Sequence, residues 1–340
     1  MVEEQLNADA LPLGVLVPTF NSMPWLERHV KALRPWLHRV QEVVTVDSQS
    51  SDGTSEYLLE NLNGTNVRHL SHPPGLYESW NFGLRQIRAP WTYIATVGDT
   101  MPEKSIEALL AVGQQNNSDL VISPPRMMSM SGETLDKRWP IHRYIEWKGE
   151  NRSGLIDGLE VFLWNVLSVP GSLLGSSASN IYRTGYLHDH PFPLGYSHAC
   201  DTAWAVINSF QARWAIATGV YSEFLVHPAS QHGSDEPLRH LTRERLHQLG
   251  REVFDALPDE SFPEKQSYAG LLNEYWDVSL QSMKARHKFR AMRKQAIPWL
   301  LRPAGWRERN RRHRYIVNAE RCRESIFQLL SDSGGASVGN

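Results

Sequence analysis

The sequence predicts an α/β fold: a mostly parallel sheet flanked by helices, followed by a helical C-terminal extension. Three observations carry this. Between residues 14 and 123, short apolar runs alternate with segments of helical spacing. Acidic residues recur where the apolar runs end, as Asp47 and Asp99 do. Beyond about residue 235 only helical spacing remains.

The elements follow in order. Residues 14–18 (GVLVP) read as a buried strand, and Pro24 to Trp36 as a helix with proline in its first turn. Residues 42–47 (EVVTVD) form a second strand, and Asp52-Gly53-Thr54 opens a helix through Glu60. Residues 66–70 are a short third strand, and Leu76 to Arg88 a helix. Then come a strand at 91–97, a helix from Pro102 to Gln114 and a strand at 119–123. In such sheets ligands bind at the carboxyl ends of the strands, near a switch in strand order, which would bring Asp47 and Asp99 to one crevice. Residues 124–155 look like an insertion or a lid. Ile156 to Ser168 reads as helix, 178–183 as strand and Asp201 to Phe210 as helix. Helices at about 236–256, 265–290 and 315–331 complete the chain, with a frayed tail from Ser331.

The 340 residues suit two domains, placed at 1–234 and 235–340. With 21% charged and 41% hydrophobic residues the chain is globular rather than disordered. Two cysteines, Cys200 and Cys322, exclude a disulfide scaffold and a cysteine-only zinc site. No apolar run reaches the ~18 residues of a spanning helix, and the acidic N-terminus lacks a leader pattern. The expectation is a cytoplasmic protein, peripheral on the inner face of a membrane. Twelve tryptophans fit a tryptophan-rich core better than a carbohydrate or lipid surface.

A formal net charge of −2 hides an asymmetry. Residues 284–323 hold 14 Lys or Arg against two acids, Glu308 and Glu320. Such a stretch attracts polyanions. The interleaved Ile297, Trp299, Leu300, Leu301 and Trp306 point to an anionic membrane surface rather than nucleic acid.

Common motifs are missing. There is no GxGxxG after the first strand and no GxxxxGK[ST], which disfavours dinucleotide and P-loop phosphate binding. HExxH and GxSxG are also absent. His188, His190 and His198 fit no standard metal spacing.

What remains is a set of acids at strand ends with a recognisable frame. The run Val15-Leu16-Val17-Pro18-Thr19-Phe20-Asn21, followed by Val43-Val44-Thr45-Val46-Asp47-Ser48-Gln49-Ser50-Ser51-Asp52-Gly53-Thr54, resembles the opening of family 2 glycosyltransferases of the GT-A fold. Gly75 to Gly83, with Asn81 inside it, and Trp91-Thr92-Tyr93-Ile94-Ala95 continue the resemblance, which covers about residues 12–232. It implies an inverting transfer of a sugar from a nucleotide-diphosphate donor to a hydroxyl of a glycan or lipid-linked acceptor, in surface polysaccharide synthesis.

The resemblance also implies roles. Pro18, Phe20, Asn21, Asp47, Asp52 and Asn81 would contact the nucleotide, although Asp52 also suits a helix cap. Asp99 stands where the family's D-x-D metal motif lies, in the run Ala95-Thr96-Val97-Gly98-Asp99-Thr100. With His227 it would hold Mn²⁺ or Mg²⁺, together with substrate phosphate and water. Asp201, in Cys200-Asp201-Thr202, would be the general base. Ser179, Asn180 and Arg183 would border the acceptor. The incomplete D-x-D keeps open a second reading, a relative that binds nucleotide-sugar or a partner without turnover. A sugar-nucleotidyltransferase is disfavoured by the lack of a glycine-rich loop after the first strand.

Overall fold

The computed structural model describes residues 10–149, 152–226, 236–259, 265–295 and 303–335. The chain divides into two compact units, Met1–Ser234 and Asp235–Asn340.

In the first unit the early apolar runs become long strands. β1 (Leu11–Thr19) pairs in parallel with β2 (Val40–Asp47), which pairs in parallel with β3 (Val67–Ser71). On its other side β1 pairs in parallel with β4 (Trp91–Ile94). β1 and β2 are buried along most of their length, which is why they read as continuous apolar runs rather than alternations. Helices α1 (Met23–Leu37), α2 (Thr54–Asn61) and α3 (Leu76–Leu84) make the crossovers, and α4 (Glu103–Gln115) follows β4. The core against β1 and β2 includes Leu26, Val30, Leu33 and Trp36 of α1, which recur at helical spacing.

Beyond β4 the sheet changes character. β4 pairs antiparallel with β8 (Ile181–Arg183), and β8 antiparallel with β5 (Leu120–Ile122). β5 runs parallel to β9 (Trp214–Ile216), and β7 (Gly154–Leu155) closes the edge antiparallel to β9. The full order is β3-β2-β1-β4-β8-β5-β9-β7. The chain switches direction across the sheet between β1 and β4, so the crevice expected at strand carboxyl ends falls there. A separate parallel pair joins β6 (Arg126–Met128) to β10 (Glu223–Leu225). Three helices complete this part: α5 (Pro140–Lys148), α6 (Gly158–Leu167) and α7 (Thr184–Asp189). α8 (Cys200–Ile207) precedes β9.

Several boundaries differ from expectation for local reasons. α3 stops at Leu84 rather than Arg88, because the chain tightens: Gln86 N–H donates to the Gly83 carbonyl and Ile87 N–H to Leu84. The strand expected at 91–97 leaves the sheet after Ala95, where Thr96 to Asp99 close a turn with Gly98 at φ 101°. The segment 124–155 is not one lid but contains β6, α5 and β7.

The second unit is helical: α9 (Glu236–Ala256), α10 (Lys265–Gln295) and α11 (Pro303–Gly335). α10 packs along α11 and against α9. Leu246, Phe254, Tyr268, Leu272, Trp276, Ile326 and Leu330 are buried there. The tail expected to fray from Ser331 is helical through Gly335, and residues 336–340 lie outside the described residues.

Candidate functional site

A cleft of about 430 Å³ opens where β1 and β4 end. Its walls are Pro18 and Thr19 at the end of β1, Phe20 and Ser22 just after it, Ser48 after β2, and Thr96 and Val97 after β4. Pro74, Gly75 and Leu76 at the start of α3, with Ser79 and Trp80 one turn later, form the facing wall. Phe20 is 56% exposed at the mouth, an aromatic face left in water. The indole N–H of Trp80 is buried without a partner. The hydroxyls of Ser48 and Ser79 meet at 2.7 Å.

Of the expected nucleotide residues, Pro18 and Phe20 line this cleft, and three others build the wall behind it. Asp47 is buried and accepts from the Thr19 hydroxyl at 2.9 Å, the Ser50 N–H at 2.9 Å and the Ser50 hydroxyl at 2.6 Å. It thereby ties the end of β1 to the loop after β2. Asn21 zips the same two loops together. Its N–H donates to the Ser50 hydroxyl at 2.8 Å, and its side-chain oxygen accepts from Ser51 N–H at 2.9 Å. Asn21 and Gln49 adopt left-handed backbone at φ 46° and 56°, so the loops are held in a sparsely populated conformation. Asp52 accepts from Met23 N–H at 3.1 Å and from Thr54 N–H at 3.1 Å, capping the first turns of both α1 and α2. Burial pushes its carboxyl up, but the bonds from Thr54 and Met23 outweigh this and hold it below its ordinary value.

Asn81 does not reach the cleft. Its amide clasps the backbone of Phe192, donating to the carbonyl at 2.9 Å and accepting from the N–H at 3.0 Å. The residues of α3 that face the cleft are Ser79 and Trp80, in the segment that points to Asn81 in the sequence. The signal for them is the helix itself, because Leu76, Ser79 and Trp80 lie on one face at i, i+3 and i+4.

Asp99 is buried, and its carboxylate is engaged by the protein. Thr96 and Ser176 hydroxyls donate to one oxygen at 3.0 Å each, and Leu225 N–H to the other at 3.2 Å. Burial pushes its carboxyl up to about 7 despite these donors. Its backbone carbonyl takes a 2.8 Å bond from His29, whose imidazole burial drives down to about 4. Thr100 and Glu223 exchange backbone hydrogen bonds beside it. Asp99 therefore fastens the turn after β4 to the segment 172–180 and to β10. This arrangement does not fit a prepared divalent-cation site, and among the described residues no three His, Cys, Asp or Glu cluster to hold a metal. His227, its expected partner, lies outside the described residues. The histidines near residue 190 are also spread apart. His188 meets the Leu84 carbonyl at 2.9 Å, and His190 stacks on Tyr186.

Asp201 sits in the first turn of α8, where the helix dipole favours an anion. Burial raises its carboxyl to about 6, against hydrogen bonds from the Thr202 N–H and the Tyr77 hydroxyl. The Tyr77 hydroxyl, on α3, shares its one proton between this carboxylate and the His198 carbonyl, which it meets at 3.2 Å. The first two turns of α3 thus stand between the two groups: Leu76, Ser79 and Trp80 face the cleft, and Tyr77 faces Asp201. Cys200 beside it is a buried thiol pushed up to about 11 by burial. Ser179 and Asn180 are buried supports. Ser179 meets Ser222 at 2.6 Å, and the Asn180 amide donates to the Leu174 and Ser176 carbonyls at 2.8 and 3.0 Å. Arg183 donates to the Ser118 carbonyl and lies over Trp91.

Comparison with known proteins bears on the fold. Residues 14–162 match the family described as Glycosyl transferase family 2. The solved structure of S. aureus TarS 1-349 in complex with UDP-GlcNAc superposes with TM-score 0.55 at 17% identity, covering 80% of this chain and 72% of that one. S. aureus TarS gives 0.54 at 17% identity over 80% of this chain, and the chain spans 43% of that protein. TarS 1-349 in complex with UDP gives 0.50 at 18% identity, over 94% and 92% of the two chains. At these identities the likeness shows the fold. No curated protein sequence matches.

Proposed function

We propose that this chain, whose residues 14–162 match Glycosyl transferase family 2, takes a nucleotide-sugar donor and carries out an inverting transfer to a hydroxyl of a glycan or lipid-linked acceptor. The observation that carries it is the cleft at the β1–β4 switch, walled by exposed Phe20 and by the start of α3.

The nucleotide sits in the cleft, its base against Phe20 and Trp80. Asp47, Asn21 and Asp52 act by holding the two loops that shape the wall. The diphosphate lies toward Gly75 and Leu76, where the N-terminus of α3 offers unpaired N–H groups and the positive end of its dipole. Asp201 takes the acceptor proton as the hydroxyl attacks the anomeric carbon from the face opposite the leaving nucleotide, so the configuration inverts. A carboxyl raised to about 6 is ionised at neutral pH yet more basic than an ordinary aspartate, which suits a general base. Turnover should therefore rise as pH climbs through about 6 and level above it. The non-catalytic reading remains the competitor, and it too places nucleotide in the cleft.

The experiment is turnover of a panel of nucleotide-sugars, UDP-linked donors first, by the whole chain and by Asp201→Asn. The proposal expects Asp201→Asn to lose roughly 10²–10⁴-fold in turnover while nucleotide binding holds and the melting temperature does not fall. A wild-type chain that binds nucleotide without consuming any donor supports the non-catalytic reading instead.

A further inference from the structure

The second unit carries a charged face that the transfer reaction does not use. On α11, Arg307, Arg311, Arg314 and Arg321 follow one another at spacings of four, three and seven, which places them on one side of the helix. All four are exposed. The positions between them on this side are Asn310, Val317 and Asn318, so the stripe contains no acid. At 1.5 Å per residue it extends about 21 Å. The neighbouring side is buried, with Cys322, Ile326 and Leu330 turned inward as α11 packs along α10. Val317 is 42% exposed, three residues after Arg314 and four before Arg321, so an apolar side chain stands in water within the arginine row.

We infer that this face of α11 docks on an anionic lipid leaflet, the arginines on headgroup phosphates and Val317 at the acyl boundary. Charge complementarity supports it: the chain outside residues 284–323 is acidic, so the stripe stands out in sign. Guanidinium forks match phosphate oxygens in pairs. The exposed valine favours a bilayer over a nucleic-acid backbone, which gives an apolar group nothing to enter. Among the described residues no helix is long and apolar enough to cross a membrane, so the contact is one of surface docking. It does not depend on how Asp201 works.

The test is co-sedimentation of the full chain with vesicles of phosphatidylcholine alone and of equimolar phosphatidylcholine and phosphatidylglycerol, beside a duplex-DNA binding assay. The expected result is binding to the phosphatidylglycerol vesicles alone, weakening as salt rises. Arg307→Gln with Arg314→Gln and Arg321→Gln should cost about fivefold per arginine, about a hundredfold together. Arg309→Gln, on another side of the helix, should cost less than fivefold. Val317→Ser should weaken vesicle binding a few-fold without changing its salt dependence. The charge-preserving triple Arg→Lys variant should keep most of the binding, which separates charge loss from misfolding. Equal binding to both vesicles, an Arg309→Gln loss as large as the triple variant's, DNA binding without vesicle binding, or no binding at all would each overturn the inference.

Discussion

The two sides of the sheet are built by different forces. From β3 to β4 the strands are parallel, the crossovers are regular helices, and the core is a run of buried valines, leucines and tryptophans. From β8 to β7 each strand is two or three residues long, and three of the pairings from β4 onward are antiparallel. Buried polar side chains do much of the fastening there. Asp99 holds Ser176 and Leu225, Asn180 holds Leu174 and Ser176, and Asn165 receives Leu173 N–H at 2.9 Å. The side around the cleft is thus held by packing. The side next to Asp201 is rigid by hydrogen bonds, each of which is costly when one partner is removed.

This contrast is sharpest at Asp99. Its carboxyl is raised to about 7, so the folded state holds a proton there that the unfolded chain releases near 4. Between those values the native state binds more protons, so stability falls as pH rises. Asp201, at about 6, adds the same sign over a narrower window. The fully developed Asp99 contribution is about 4 kcal/mol. Asp99→Asn removes that cost while its amide still offers an acceptor to Leu225 N–H. Urea unfolding from pH 4 to 8 should show a falling wild-type profile and a flatter one for Asp99→Asn, with the variant more stable at pH 8. A variant less stable than wild type at pH 8 would mean that the ionised carboxylate is the stabilising form.

The packing side breaks differently. A Cβ on Gly83 would clash with the Leu16 Cδ1 and Val46 Cγ2 methyls, so these side chains or α3 must shift. Gly83→Ala should cost about 1–3 kcal/mol by overpacking, at all pH values alike. Because α3 also walls the cleft, nucleotide affinity should fall with it. Chemical unfolding and nucleotide titration of the same variant check both.

Asn81 joins the two sides by clasping Phe192. Asn81→Ala leaves both backbone groups of Phe192 without partners and should cost about 2 kcal/mol. Hydrogen exchange should then quicken around residues 190–192 while β1 and β2 stay protected. The smallest effect is expected at Asp52. Asp52→Ala removes a cap shared by α1 and α2 and should cost about 1 kcal/mol, measured as a lowered urea midpoint.

How much of this the sequence disclosed follows the same division. β1, β2 and β3 and their crossovers are legible because two-sided burial writes continuous apolar runs and helices write a 3.6-residue period. β6, β7 and β9 are not, since two or three residues carry no period to read. The loop motifs around Pro18, Asp47 and Asp52 lie in and behind the wall of the cleft. They do not reveal that Asp47 and Asp52 spend their oxygens on Thr19, Ser50, Met23 and Thr54. Asn81 and Trp80 are adjacent in sequence but face different partners, and only the rotation of α3 decides which one meets the cleft. Asp99 reads equally well as a ligand or as a brace, because the donors that decide it, Ser176 and Leu225, lie 77 and 126 residues away.

The central claim is that the crevice between β1 and α3 holds a nucleotide diphosphate. The most direct measurement is thermal unfolding of the whole chain with UDP, GDP, TDP and CDP, each with Mn²⁺, Mg²⁺ or EDTA. One nucleotide at about 100 times its dissociation constant should stabilise the protein by about 2.7 kcal/mol. That gain should vanish when Ser79→Trp fills the cleft. No shift with any of the four, with or without metal, would contradict the account.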